Sequence, residues 1–416
     1  MSFVTYLILS FLVIIYIVET TADLLNVKNI SLSIPREFDT YFDKEKYVRS
    51  QQYLKANTKV SLISSTLFLV IQIVFVLSGG FNYVNTIATS FGFGPIWTGL
   101  IFAGILLFSY EIIKIPFSVY STFVIEQNFG FNRTNVKTFV TDLFKSWIIT
   151  AVISSIVFSV ILWLFTNTPH CAWLYAFVCI TVFQLFVWFI APIVILPLFN
   201  KYTPLEGGEL RTSIETYASK ENFKMKGVFV MDESKRSTKS NAFFIGFGKF
   251  RRIVLFDTLI QKQTVNELTN ILAHEMGHFK LGHTTKRMIF SFASTGVMLY
   301  ILSLFVNKTW LYDAFLMQAQ PIYAGVIFFA FLYAPISFII SVISSYFSRR
   351  MEYNADSYAA ITYGYPEAMV TALKKLSVDN LSNLHPHKLK VFLEYSHPPI
   401  LDRIKAINTN PDRSRA

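Results

Sequence analysis

Residues 264–306 read TVNELTNILAHEMGHFKLGHTTKRMIFSFASTGVMLYILSLFV, and two kinds of helix meet within them. Thr264 followed three residues later by Glu267 is a capping-box pattern, placed ahead of the apolar Leu268, Ile271 and Leu272. A helix is therefore predicted to start near 264 and to run through His278. On it His274 and His278 stand four apart, one turn above the other. Both imidazoles then reach a single metal at the usual Zn–N distance of about 2.0–2.1 Å. Glu275 is rotated off that line, where it addresses the attacking water. The alternative is a coincidental pair of helix-surface histidines; the capping box, Gly282 and the hydrophilic setting weigh against it. From 288 to 306 the chain turns apolar over about the length of a bilayer crossing.

Such runs recur. Of the 416 residues 53% are hydrophobic and only 15% charged, with mean hydropathy +0.45. An ordinary soluble domain carries about 25% charged residues. The 42 Phe and 21 Tyr suit lipid-facing helices and interfacial belts. Seven apolar runs are read, at 3–19, 60–80, 95–116, 147–166, 172–198, 288–306 and 321–346. The first lacks a positively charged leader and is read as a retained anchor rather than a cleaved signal. Pro192 and Pro335 fall inside spans, which neighbouring helices or water make tolerable.

The linkers sort by charge. Those at 81–94 and 167–171 hold no Lys or Arg, and 307–320 holds only Lys308. Nearly all other positive charge lies in 20–59, 117–146, 199–287 and the stretch after 346. The expected topology puts the N-terminus outside and the C-terminus in the cytoplasm. The net charge of +11 is thus read as membrane orientation, and nucleic-acid binding is excluded as a function class. Glu111 and Lys114, near the inner end of the third span, read either as a snorkelling pair or as an intramembrane polar site. Cys171 and Cys179 read as small buried residues rather than a disulfide or metal pair.

Four regions follow: residues 1–198 with five spans, the hydrophilic segment 199–287, spans six and seven over 288–346, and the C-terminal segment 347–416. The two hydrophilic segments are expected to fold together on the cytoplasmic side. A catalytic zinc takes three protein ligands and keeps one open position. Glu352 and Asp356, four apart after the last span, are assigned as third ligand and as a carboxylate orienting a ligating histidine. A solvated acidic pair is the competing reading. Of the other histidines, His283 would point away on a continued helix, His385 and His387 look like an exposed turn, and His397 is a rigid loop residue before Pro398. Three β-like runs are read at Val228–Met231, Ala242–Phe247 and Ile253–Phe256.

With these residues in view the chain resembles the type I CAAX prenyl proteases, integral-membrane zinc metallopeptidases. The likeness runs nearly end to end. It is carried by Phe42-Asp43-Lys44-Glu45-Lys46-Tyr47, Gly130-Phe131-Asn132, Pro197-Leu198-Phe199-Asn200-Lys201-Tyr202 and Ser240-Asn241-Ala242-Phe243-Phe244. The His-Glu-x-x-His helix, Glu352-x-x-x-Asp356 and Ser396-His397-Pro398-Pro399 complete it.

The resemblance implies a mainly α, polytopic membrane protein: seven transmembrane helices around a large water-filled chamber, with a small α/β, gluzincin-like cytoplasmic portion. It implies one Zn2+ per chain on His274, His278 and Glu352, with Glu275 and His397 catalytic. It implies substrate binding by strand addition at Asn241 and Ala242, where a purely structural hairpin is the bland alternative. The partners expected are membrane lipids and a peptide or protein substrate, with or without a prenyl group; oligomeric state stays open. The tail Asp412-Arg413-Ser414-Arg415-Ala416 lacks a dilysine-like retrieval signal and the third external linker is short. Both favour the bacterial inner membrane over the endoplasmic reticulum. Since most bacteria do not prenylate proteins, quality-control proteolysis of membrane proteins stands beside CAAX cleavage, with a silent scaffold or channel as the non-enzymatic alternative.

Overall fold

A computed structural model describes residues 2–168, 170–246 and 251–409. Phe247, the last residue of the second β-like run, and the tail Asp412–Ala416 lie outside them. The helices in chain order are α1 (Phe3–Lys28), α2 (Lys44–Leu77), α3 (Gly80–Ser90), α4 (Pro95–Tyr120), α5 (Val136–Asn167), α6 (Ala172–Ile190) and α7 (Glu209–Lys220). Then come α8 (Asp257–Ile260), α9 (Val265–Lys280), α10 (His283–Phe305), α11 (Thr309–Asp313), α12 (Ile322–Tyr363), α13 (Pro366–Asp379), α14 (Lys388–Glu394) and α15 (Ile400–Asn408). Seven of them, α1, α2, α4, α5, α6, α10 and α12, are long and apolar enough to cross a membrane, α4 and α6 being prolonged by π-helical turns to Glu126 and through Ile195. Many apolar side chains of these spans are exposed, Val178, Val182 and Phe186 of α6 among them, as lipid-facing surface requires.

The helices overrun the apolar runs that announce them. The last apolar run ends at 346, yet α12 continues for 42 residues in all, about 63 Å at 1.5 Å per residue. Pro335 does not stop it, and a left-handed Gly364 (φ 80°) does. Glu352 and Asp356 thus ride on a rigid extension of the last span. Cys171 and Cys179 are free and exposed, contrary to the burial expected. Cys179 lies in α6, where lipid bounds the helix and an apolar residue need not face protein, and Cys171 stands in the turn just before it. Glu111 and Lys114 pair at 3.7 Å, and Glu111 Oε2 also accepts from Trp147 Nε1 at 3.3 Å.

Each end of the bundle has its own core. At one end Phe315 stacks on Phe328 with centroids 4.0 Å apart, and Phe81 meets both edge-on. At the other, Phe38, Phe42, Tyr47 and Phe131 from the first two charged linkers pack with Val378, Leu381, Leu384 and Ile404. There Asn26 of α1 accepts from the His387 amide at 2.9 Å, and Asp23 pairs with Lys390 at 2.6 Å. The chain after α12 is therefore bound back onto the N-terminal helices.

This second end also carries a four-stranded sheet in the order β1-β2-β4-β3, with β1 Tyr202–Pro204, β2 Gly227–Met231, β3 Ala242–Ile245 and β4 Arg252–Phe256. β2 and β4 are parallel; β1 and β3 are antiparallel edges. Ile253 and Leu255 of β4 pack on Leu268 and Leu272, one face of α9, which fixes the helix of the His pair under the sheet.

Candidate metal centre

Helix α9 begins as its sequence demands. Thr264 Oγ1 accepts from the Glu267 amide at 3.3 Å while Glu267 Oε2 accepts from the Thr264 amide at 2.7 Å, and Lys375 holds the same carboxylate at 2.8 Å. One turn of helix separates His274 and His278, and their Nε2 atoms lie 3.2 Å apart. Glu352 arrives from α12, which crosses α9 at Gly277. A Cβ there would come within 3.3 Å of the Ala355 backbone, so only glycine allows this approach without displacement. Glu352 Oε1 is 3.2 Å from His278 Nε2, and Oε2 is 3.4 Å from His274 Nε2.

The two Nε2 atoms thus lie 3.2 Å from each other, and each lies 3.2–3.4 Å from one carboxylate oxygen, Oε1 for His278 and Oε2 for His274. Ligand atoms bonded at about 2.0–2.1 Å at tetrahedral angles stand roughly 3.3 Å apart, so the three side chains surround a point that suits one metal. Glu352 is 2% exposed, and its Oε2 accepts no hydrogen bond among the described residues, with the Arg403 guanidinium standing off at 3.9 Å. A buried carboxylate oxygen left so is costly unless a cation meets it. The donor set fits a divalent metal.

Around these groups lies a second ring. Asp356 Oδ1 is 2.8 Å from His274 Nδ1, and Arg403 of α15 grips Asp356 with two bonds, 2.8 and 2.6 Å. Burial works against charge on His274, but Asp356 and Glu352 outweigh it and raise its pKa to about 9. Burial likewise opposes the Arg403 charge, and Asp356 more than restores it. Burial raises the Glu275 carboxyl above its ordinary value, only partly offset by His274 and His278.

The expected site residues divide. His274, His278, Glu352 and Asp356 converge, and His397 joins them with Nε2 3.5 Å from Glu352 Oε1 while its side chain stays 64% exposed. Burial, opposed by Glu352, depresses the His397 pKa. Ala242 starts the edge strand β3, and the carbonyl of Asn241 before it accepts from the Phe256 amide at 3.1 Å. Ser240 and Asn380 exchange two hydrogen bonds that pin this edge to the end of α13. His385 and His387 are structural: the first offers its carbonyl to Asn29, the second caps α14.

His283 reverses its expectation. It does not continue α9: Gly282 takes a left-handed turn (φ 68°) and His283 opens α10, buried, with Nδ1 3.0 Å from His278 Nδ1. Gly282 was the available signal for that break. For Arg403 no spacing signal existed.

Residues 23–201 match the CAAX prenyl protease N-terminal region, described as five membrane helices, and residues 204–410 match peptidase family M48. A probable CAAX prenyl protease 1 of Schizosaccharomyces pombe is 36% identical over 88% of this chain and 80% of its own. The chain belongs to the CAAX prenyl protease family. A CAAX prenyl protease 1 homolog of Arabidopsis thaliana is 33% identical over 96% of both chains. The crystal structure of S. mikatae Ste24p superposes with a TM-score of 0.91 at 31% identity, covering 97% of this chain and 99% of that one. Membership in a metallopeptidase family implies a metal ion, which agrees with the donor triangle.

Two cavities lie among the spans, and the smaller of them borders the centre. One of about 790 Å3 runs between α10 and α12 past Arg287, Ser294 and Ser348 to Ser396, the neighbour of His397. The other, of about 940 Å3, lies among α1, α2, α4, α10 and α12 and includes Tyr16, Glu19, Gln72 and Lys114. They share Met298, Tyr333, Ser337 and Ser341 as a common wall. Lys114 therefore faces a cavity whose mostly apolar lining also holds Glu19 and Gln72, which joins the two readings of its pair with Glu111.

Proposed function

We propose that this protein is a zinc endopeptidase of the membrane that cleaves peptide bonds of membrane-associated chains, with CAAX-type processing of prenylated peptides as its family capability. The observation that carries this is the convergence of His274, His278 and Glu352, each histidine Nε2 3.2–3.4 Å from the other and from a Glu352 oxygen, beside Glu275. The two-histidine, one-carboxylate set suits zinc in particular. When bound, the metal supplies Lewis acidity to the scissile carbonyl and acidifies the attacking water.

The chain's own residues do the rest. Glu275, with a carboxyl raised by burial, takes the water's proton and passes it to the leaving amine. His397, beside Glu352, donates a hydrogen bond to the carbonyl oxygen as negative charge grows there. Asp356 and Arg403 hold the His274 ring in place. The unpaired side of β3, starting at Ala242 after Asn241, takes the substrate main chain as an added strand. In this reading 199–287 and 347–416 are one catalytic unit interrupted by two spans.

The charge sorting of the linkers supports a cytoplasmic site with the N-terminus outside, and the short third external linker supports the bacterial inner membrane rather than the endoplasmic reticulum. A second reading, quality-control cleavage without a prenyl requirement, is kept by the cavity beside the site, whose lining mixes Ser291, Ser294, Ser344 and Ser345 with Phe290, Ile340, Phe347 and Met351 and so admits unprenylated chains as well. Matched farnesylated and unmodified peptides test both. Cleavage of either that is abolished by a chelator and restored by zinc is expected; purified protein without stoichiometric zinc would sink the proposal. Equal rates on the two peptides select the quality-control reading.

A further inference from the structure

Of the two histidines that face the donor triangle, each has its second ring nitrogen engaged, and the two partners differ in kind. His274 Nδ1 meets the Asp356 carboxylate at 2.8 Å. His278 Nδ1 meets Nδ1 of His283 at 3.0 Å. His283 is 1% exposed, although its neighbours Thr284, Thr285 and Lys286 are exposed. The left-handed Gly282 turns it inward. A histidine that binds a metal through Nε2 carries its remaining proton on Nδ1. With His278 Nε2 in the triangle, its Nδ1–H is a donor, so the facing His283 nitrogen accepts and its own proton sits on Nε2.

We propose that His283 is a positioning residue that fixes the ring orientation and tautomer of His278 for metal binding, as a neutral counterpart of Asp356. The neutrality has a consequence. Glu352, Asp356 and the base Glu275 already bring three carboxylates to the centre, Asp356 gripped by Arg403 and Glu352 with Arg287 and Arg403 3.7 and 3.9 Å away. A further carboxylate behind His278 would cancel more of the metal's charge and weaken its Lewis acidity. An imidazole acceptor orients the ligand without that cost.

This inference rests on His278 being a ligand, and the test separates the two. Zinc dissociation constants are measured on the full-length protein in detergent by chelator competition for wild type, His278→Ala, His283→Leu, His283→Phe and His283→Asn. Asparagine keeps an acceptor at the δ position, whereas leucine and phenylalanine fill the space without one. Loss of an outer partner of this kind weakens metal binding about 10- to 100-fold, which is expected for Leu and Phe, with Asn recovering most of the affinity. Metal-free melting curves identify any variant that fails to fold, and the remaining apolar variant then carries the comparison. Wild-type affinity in the apolar variants overturns the proposal, as does an equal loss in Asn and in Leu, which would mean packing alone. Unchanged zinc binding in His278→Ala would instead overturn the ligand assignment, and this inference with it.

Discussion

At the scale of single residues, Glu275 and His397 separate chemistry from metal binding, because neither belongs to the triangle of His274, His278 and Glu352. Glu275→Gln keeps shape but removes the base, so peptide cleavage should fall by about 10²–10⁴ while zinc content, read by elemental analysis, stays at one per chain. His397→Ala should lower kcat by about 10²–10³, the usual loss of one oxyanion donor, with zinc again retained. Loss of zinc in either variant would show that the residue holds the metal rather than the substrate. The convergence of His274 with His278 is legible in a spacing of four, since a helix has only one geometry at that distance. The place of His283 is not legible, because an offset of five points away on a continuous helix and Gly282 announces a break without its direction. Arg403 was hidden altogether: its partner Asp356 lies 47 positions earlier, and no local pattern marks so distant an ion pair.

At the scale of elements, the site depends on how closely α12 crosses α9. Gly277 lies at that crossing, with Tyr358 and the Ala355 backbone 3.0 and 3.3 Å from where a Cβ would stand. Gly277→Val should cost about 1–3 kcal/mol by overpacking, and it should also push Glu352 off the triangle. Melting temperature and zinc affinity must therefore fall together; a lower melting temperature with unchanged zinc affinity would contradict this coupling. Thr264→Ala removes one half of the capping box and should cost about 1 kcal/mol without altering the metal affinity. The existence of the long helices is readable because about 20 apolar residues leave a chain few other options. Their ends are not: hydropathy reports the bilayer, while α12 runs on to Gly364, losing one ladder bond at Pro335 without ending there. Strand β1 is three residues long and owes its form to pairing with β2, so no run of its own could reveal it.

At the scale of the whole molecule, the bundle is tied at both ends and hollow between them. The aromatic cluster around Phe81, Phe315 and Phe328 closes one end, and the cluster of Phe38, Phe42, Tyr47 and Phe131 joins the other to the catalytic unit. The cavities of about 940 and 790 Å3 lie between, meeting along Met298, Tyr333, Ser337 and Ser341, and only the smaller reaches Ser396 beside His397. A substrate chain drawn from the larger space has to pass that shared wall, whereas a short soluble peptide can approach the centre from the Ser396 side. Ser337 is exposed to the cavity, so Ser337→Trp narrows the junction without repacking a core. Cleavage of a substrate long enough to thread both cavities should then slow at least about tenfold, a barrier increase of about 1.4 kcal/mol, while a short peptide keeps its rate and the melting temperature holds. If both substrates slow alike, the residue acts on the site itself. If neither slows, chains reach the metal without crossing the junction, and the larger cavity has no part in their path.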